Sequence, residues 1–183
     1  MTQRLTRSRG WLRAAIRAER GAAAVEMALI AAPFLMLLFG IVELGMIFLV
    51  SSTLENSMDL AARTIRTGQL QGGGGATAAT FKSTICTNFG WMQTDCANNL
   101  SVDVRTYATF ADTATPPQPV SNGVFNAGAL TFVPGGPNDI VVVRAYYKWP
   151  LIAPMFDQAL QQLNGGVGLL TSTAAFRNEP YGG

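Results

Sequence analysis

The chain is 183 residues long, 49% hydrophobic and only 13% charged, with a mean hydropathy of +0.23. That composition excludes a disordered chain and leaves room for one ordinary domain beside a membrane segment. The net charge of +2 is lopsided: six arginines fall in residues 1–21 against Glu19 alone, so the rest of the chain is net acidic and offers no basic surface for nucleic acid.

The first segment, residues 1–21, reads as a basic cytoplasmic leader. It runs into an apolar stretch with no charge from residue 27 to 42 and only Glu43 between there and Val50. Residues 27–50 exceed the roughly 20 needed to cross a bilayer core of about 30 Å. Arginines on the N-terminal side predict a cytoplasmic N-terminus, with everything after residue 50 across the membrane. A cleaved secretory signal fits poorly, because the small residues Ala22, Ala23 and Ala24 precede the apolar region instead of following it.

The pattern predicts one long helix over 22–67. Pro33 interrupts its hydrogen-bond ladder, which membrane helices tolerate. Ala24, Ala28 and Ala32 recur every four residues, with Gly40 eight further on, a ridge small enough for a second helix to approach; plain alanine enrichment explains the spacing equally well. Beyond the span, Leu54, Met58, Ala61, Ala62 and Ile65 keep helical spacing, so this extension needs a cover for its apolar stripe. Asp59 and Arg63 are placed to pair, and Gly68 is the expected stop. Glu43 is expected at the far interface among the headgroups, with pairing to a neighbouring subunit as the alternative.

Residues 68–183 are predicted to form an α+β domain with an antiparallel sheet of about three strands and two short helices. After the flexible run Gln71-Gly72-Gly73-Gly74-Gly75, residues 77–88 read as the first short helix. Strands are expected at 100–110, 140–149 and 169–177, the second suited to the centre of the sheet, and a second short helix at 154–163. The proline-rich stretch 111–137 carries no assignable pattern.

Catalytic chemistry finds little to build on. There is no histidine, which removes the commonest general base and metal ligand. Cys86 and Cys96 are too few for a zinc site and are not a C-x-x-C pair; in an exported domain they are expected to form a structural disulfide. Asp103, Asp112, Asp139 and Asp157 read as solvated or turn residues. No catalytic residue, cofactor, metal, nucleic acid or small-molecule substrate is expected, and the protein is not read as an enzyme.

Several motifs together resemble the TadE-like family, pseudopilins of the tight-adherence (Flp-type) pilus. They are Gly21-Ala-Ala-Ala-Val-Glu26-Met27, Phe39-Gly40-Ile41-Val42-Glu43-Leu44-Gly45, Ala61-Ala62-Arg63, the valine-rich strand ending in Tyr146-Tyr147, and Arg177-Asn178-Glu179-Pro180. The N-terminal motifs are the specific ones. The resemblance implies a chain in the bacterial inner membrane, cut by a prepilin peptidase between Gly21 and Ala22, with other pilins, pseudopilins and Tad assembly proteins as partners. Glu26, fifth from the new N-terminus, would pair with the terminal amine of a neighbour. Met27 stands where major Flp pilins commonly have tyrosine, and a sizeable domain follows, so a minor or assembly-initiating subunit is implied. The competing reading is an uncleaved single-span anchor presenting a periplasmic adaptor domain of another secretion system.

Overall fold

The computed structural model describes residues 19–152 and 157–181. The chain divides into two compact units, Met1–Val42 and Glu43–Gly183. Helix α1, Glu19–Arg66, passes through Pro33 and contributes to both. Most of the leader, residues 1–18, lies outside the described residues.

The second unit is built around the last third of α1. Val50, Leu54, Met58, Ala61 and Ile65 recur at three- and four-residue spacing and are all buried, whereas Glu55, Asn56, Asp59, Arg63 and Arg66 are exposed. Asp59 and Arg63 do not form an ion pair; the surface pair in this region joins Arg66 to Glu179 at 3.2 Å. The helix stops at the expected glycine. Gly68 has φ of 74°, and a Cβ there would fall into the ring of Tyr181, so both backbone and space demand glycine.

A single turn, α2 (Gln69–Gly72), and the glycine run lead to α3, Ala78–Thr87. Thr77 caps α3 by accepting from the Thr80 amide at 3.1 Å. A 3₁₀ turn at Gly90–Met92 and helix α4, Gln93–Asn99, come next; neither was expected. Cys86 and Cys96 form the expected disulfide with Cα atoms 5.5 Å apart, and it ties α3 to α4 just before the first strand. Phe81, Ile85, Phe89 and the disulfide itself pack against the apolar stripe of α1.

The sheet is antiparallel, with strands β1 (Leu100–Tyr107), β4 (Ile140–Pro150) and β5 (Val167–Arg177) in the order β1-β4-β5. The valine-rich strand is central, as its continuous apolar run implies. Val141, Val143, Ala145, Tyr147 and Trp149 alternate inward and join the α1 core. Arg144 and Tyr146, on the other face, are also buried because the proline-rich stretch folds over them. Within it a small hairpin, β2 (Val120–Ser121) and β3 (Val124–Phe125), stacks Phe125 edge-on against Tyr146 at 5.7 Å. The expected second helix shrinks to one turn, α5, Asp157–Leu160, with residues 153–156 outside the described set.

Asp103 corrects the sequence reading. It is not solvated but 1% exposed, where it receives Arg144 Nη2 at 2.5 Å, Arg105 Nε at 3.0 Å and the Thr131 amide at 2.8 Å. Arg144 also donates to the Pro117 carbonyl at 2.8 Å, so this cluster fastens the proline-rich cover to the sheet. Strand alternation placed Asp103 on a polar face, and what hid its burial was a cover that arrives from about 30 residues away. Asp112 and Asp139 do hold turns, accepting from the amides of Thr109 and Gly136. The side chain of Asp157 lies outside the described residues.

Burial pushes the Asp103 carboxyl up, but the bonds from Arg105, Thr131 and Arg144 outweigh it and hold it below its ordinary value. A depressed carboxylate adds stability that is full above the unfolded value of about 3.9 and disappears as pH falls through the lower folded value. Detergent-solubilised full-length protein is therefore expected to lose stability below about pH 4. Asp103→Asn, which strands the buried Arg144, is expected to cost about 3–5 kcal/mol at pH 7 and to flatten that acid limb in denaturant melts.

Candidate functional site: the N-terminal helix and its anchor in the domain

The first unit presents an apolar helix with almost no cover. Between Val25 and Val42 every large hydrophobic side chain is at least 44% exposed, and the helical run from Gly21 has a window of mean hydropathy 2.4. In water that surface is untenable; the helix is long and apolar enough to cross a membrane, and membrane anchoring accounts for its exposure. Pro33 has no N–H, so the Leu29 carbonyl one turn earlier loses its intrahelical donor.

The residues singled out for processing and recognition sit at the start of this helix. Gly21 is half-buried and Ala22 exposed, both inside the first turns of α1. Glu26 is exposed, the first charge after Arg20, and lies four residues beyond Ala22, so an amine at Ala22 and the Glu26 carboxylate would share one helix face. Ala24, Ala28 and Ala32 are exposed, while Gly40 is buried. Gly40 is rotated about 160° from Ala24 around an ideal helix, so the four small residues do not form one straight ridge.

Glu43 is the residue that sequence reasoning placed wrongly. It is 2% exposed, and its partner is its own chain: Trp149 Nε1 donates to Oε1 at 3.2 Å and the Ile152 amide to Oε2 at 3.1 Å. The carboxylate thus spans the end of β4 and the loop behind it, fixing both to α1 where the second unit begins. The missed signal was Trp149-Pro150: an indole that ends a buried strand needs an acceptor, and Glu43 is the acid set in an otherwise apolar helix. A second acid is used similarly. Asp95 on α4 accepts the Tyr147 hydroxyl, and burial followed by that bond raises the Tyr147 hydroxyl above its ordinary value.

The Arg-Asn-Glu-Pro end of the chain also has a task. The Glu179 amide donates to the Arg66 carbonyl at 2.8 Å, closing the C-terminus of α1. Asn178 is buried and donates to the carbonyls of Pro134 and Gly136 at 3.0 and 2.9 Å, holding the proline-rich cover from its other end. Among the described residues, no group of three or more Cys, Asp or Glu side chains is gathered where it could hold a metal ion.

These features define a class: an exposed apolar helix, long enough to span a bilayer, that runs directly into the core of a small α+β domain. Residues 21–63, from the glycine of the first motif to Arg63, match the family model described as TadE-like protein. Over this segment the chain is similar to TadE-like proteins. The match ends inside α1 and does not reach the sheet. Neither a curated protein nor a solved structure matches the chain.

Glu43→Ala leaves the buried Trp149 indole without an acceptor, frees the Ile152 amide, and is expected to destabilise the full chain by about 2–4 kcal/mol. Glu43→Gln keeps one acceptor oxygen and is expected to cost about half as much. Paired thermal melts, with tryptophan emission as the readout, check the order of the two.

Proposed function

We propose that this protein is a minor pilin or pseudopilin of the tight-adherence pilus, held by a single span in the inner membrane with its α+β domain in the periplasm. The observation that carries this reading is the position of Glu26: an exposed carboxylate at the head of an uncovered apolar helix, four residues after Ala22, inside the segment that matches the TadE-like family. A lone carboxylate in lipid is expensive, and a neighbour's ammonium is the partner that repays it. In this reading a prepilin peptidase cuts after Gly21, the freed Ala22 amine of one subunit meets Glu26 of another, and the exposed apolar face packs against pilin helices. The domain offers surfaces to other Tad assembly proteins. The role is assembly without catalysis, and it uses no cofactor or small-molecule substrate.

One observation favours the uncleaved anchor as second reading. The Gly21–Ala22 peptide lies inside the helix Glu19–Arg66, not in an open loop. Glycine there weakens the turn by roughly 1 kcal/mol relative to alanine, which allows local opening for cleavage.

N-terminal sequencing of the protein extracted from its native membrane decides between the two. The expected mature chain begins at Ala22; a chain that keeps its leader supports the uncleaved anchor. Glu26→Ala is expected to leave domain stability within about 0.5 kcal/mol, since Glu26 is exposed. It is expected to reduce surface piliation at least tenfold, measured by electron microscopy of cells with equal protein levels. Normal piliation would remove Glu26 from the mechanism.

A further inference from the structure

The sheet has an edge that nothing in the described chain covers. The register of β5 on β4 runs unbroken from Ile140↔Arg177 to Pro150↔Val167. At the start of β5 the groups that turn away from β4 are occupied: the Val167 carbonyl accepts from Gln162 and Leu163, and the Leu169 amide donates to Gln162 Oε1 at 2.7 Å. Strand alternation turns the amides and carbonyls of Thr171, Thr173 and Ala175 the same way, and there they meet no partner among the described residues. Their side chains are exposed as well. The proline-rich stretch covers the outer face of the sheet over β4 and stops short of β5.

Natural edge strands are usually protected by lysine, proline, a bulge or shortness. Residues 171–176, Thr-Ser-Thr-Ala-Ala-Phe, have none of these in an eleven-residue strand. Beside the edge runs a groove floored by Ala62, Ala174 and Phe176 and rimmed by Asp59, Arg63 and Arg66, with a volume near 310 Å³. Arg66 is engaged by Glu179, whereas Arg63 has no ion-pair partner among the described residues. A strand added to β5 would turn alternate side chains toward this groove.

The geometry limits what that strand can be. Helix α1 runs along β5 in the same direction: Glu43 sits by Trp149, the register partner of Gly168, and Arg66 sits by Glu179 just past the end of β5. Antiparallel β5–β5 pairing between two copies would turn one α1 upside down, with its Glu43 end away from the shared membrane. Parallel pairing of the two identical edges needs an offset of one residue that a two-fold axis cannot supply. Pairing of β5 with β1 of another copy is obstructed, because the Val104 amide and carbonyl on the outer edge of β1 are already bonded to Thr131 and Val133. A second copy of this chain therefore fits badly on each of these three routes.

We propose that the free edge of β5 is a strand-addition site for a different subunit of the assembly, which contributes an extended segment with a carboxylate facing Arg63. This rests on the assembly role argued above and names its heterotypic contact.

The test is residue-resolved hydrogen exchange on the full chain, compared between native membranes and the purified protein in detergent. The Thr171, Thr173 and Ala175 amides are expected to exchange at least tenfold more slowly in membranes. Arg63→Glu is expected to abolish that difference. Thr173→Pro, which removes only an outward-facing N–H, is expected to release the remaining two amides while the purified variant keeps its Cys86–Cys96 disulfide and a cooperative melt. Equal exchange in the two states overturns the proposal. Protection that persists in concentrated purified protein identifies a second copy as the occupant and overturns the heterotypic assignment. N-terminal sequencing of the same samples separates the two readings: a mature Ala22 with an unprotected edge rejects strand addition alone, and a retained leader with a protected edge rejects processing alone.

Discussion

One helix must satisfy two solvents. From Met27 to Val42 the side chains of α1 are apolar all round and almost all exposed; from Val50 onward a narrow apolar stripe meets protein while the remaining faces meet water. Everything in the domain follows from the second requirement. A stripe made of Val50, Leu54, Met58, Ala61 and Ile65 cannot be closed by the 116 residues after it unless they supply an apolar sheet face and something to fill the corner. Strand β4 provides the face. Helices α3 and α4, joined by their disulfide, provide the corner.

Because β4 is central and buried on both sides, its second face needed a cover too. The proline-rich stretch serves as that cover, and it is held by polar contacts at both ends. Asp103, Arg105 and Arg144 fasten it near Pro117 and Ala129, and Asn178 fastens it at Pro134 and Gly136. A buried charge cluster of this kind adds little net stability against an apolar replacement, yet removing one member is costly. Its effect is to specify where an otherwise featureless segment lies. The polar tethers at Asp103, Glu43 and Asn178 each join segments that are distant in the chain.

Local patterning in the sequence revealed the long helix, its glycine stop, the first short helix, the three strands with β4 at the centre, and the disulfide. Each depends on spacing within ten or so residues, which a reader of the chain can count. The burial of Asp103 and the binding of Glu43 were not legible, since each depends on partners 28 to 109 residues away. The small elements α4 and β2–β3 were missed for a related reason: both are short, α4 is polar as well, and packing against the sheet and the disulfide stabilises them more than intrinsic propensity does. At the candidate site, the placement of Glu26 at the head of an apolar helix could be read from the charge-free run 27–42 that follows it.

The bond between Glu43 and Trp149 moves the true border of the domain upstream of the point where hydrophobicity ends. Hydropathy alone would divide the molecule near Val50, yet by packing the folded body already begins at Glu43. Anyone grafting a foreign anchor onto this body would have to make the splice before that glutamate. A splice seven residues later would sever the rivet that secures the floor of the sheet, and the transplanted domain would arrive without its foundation.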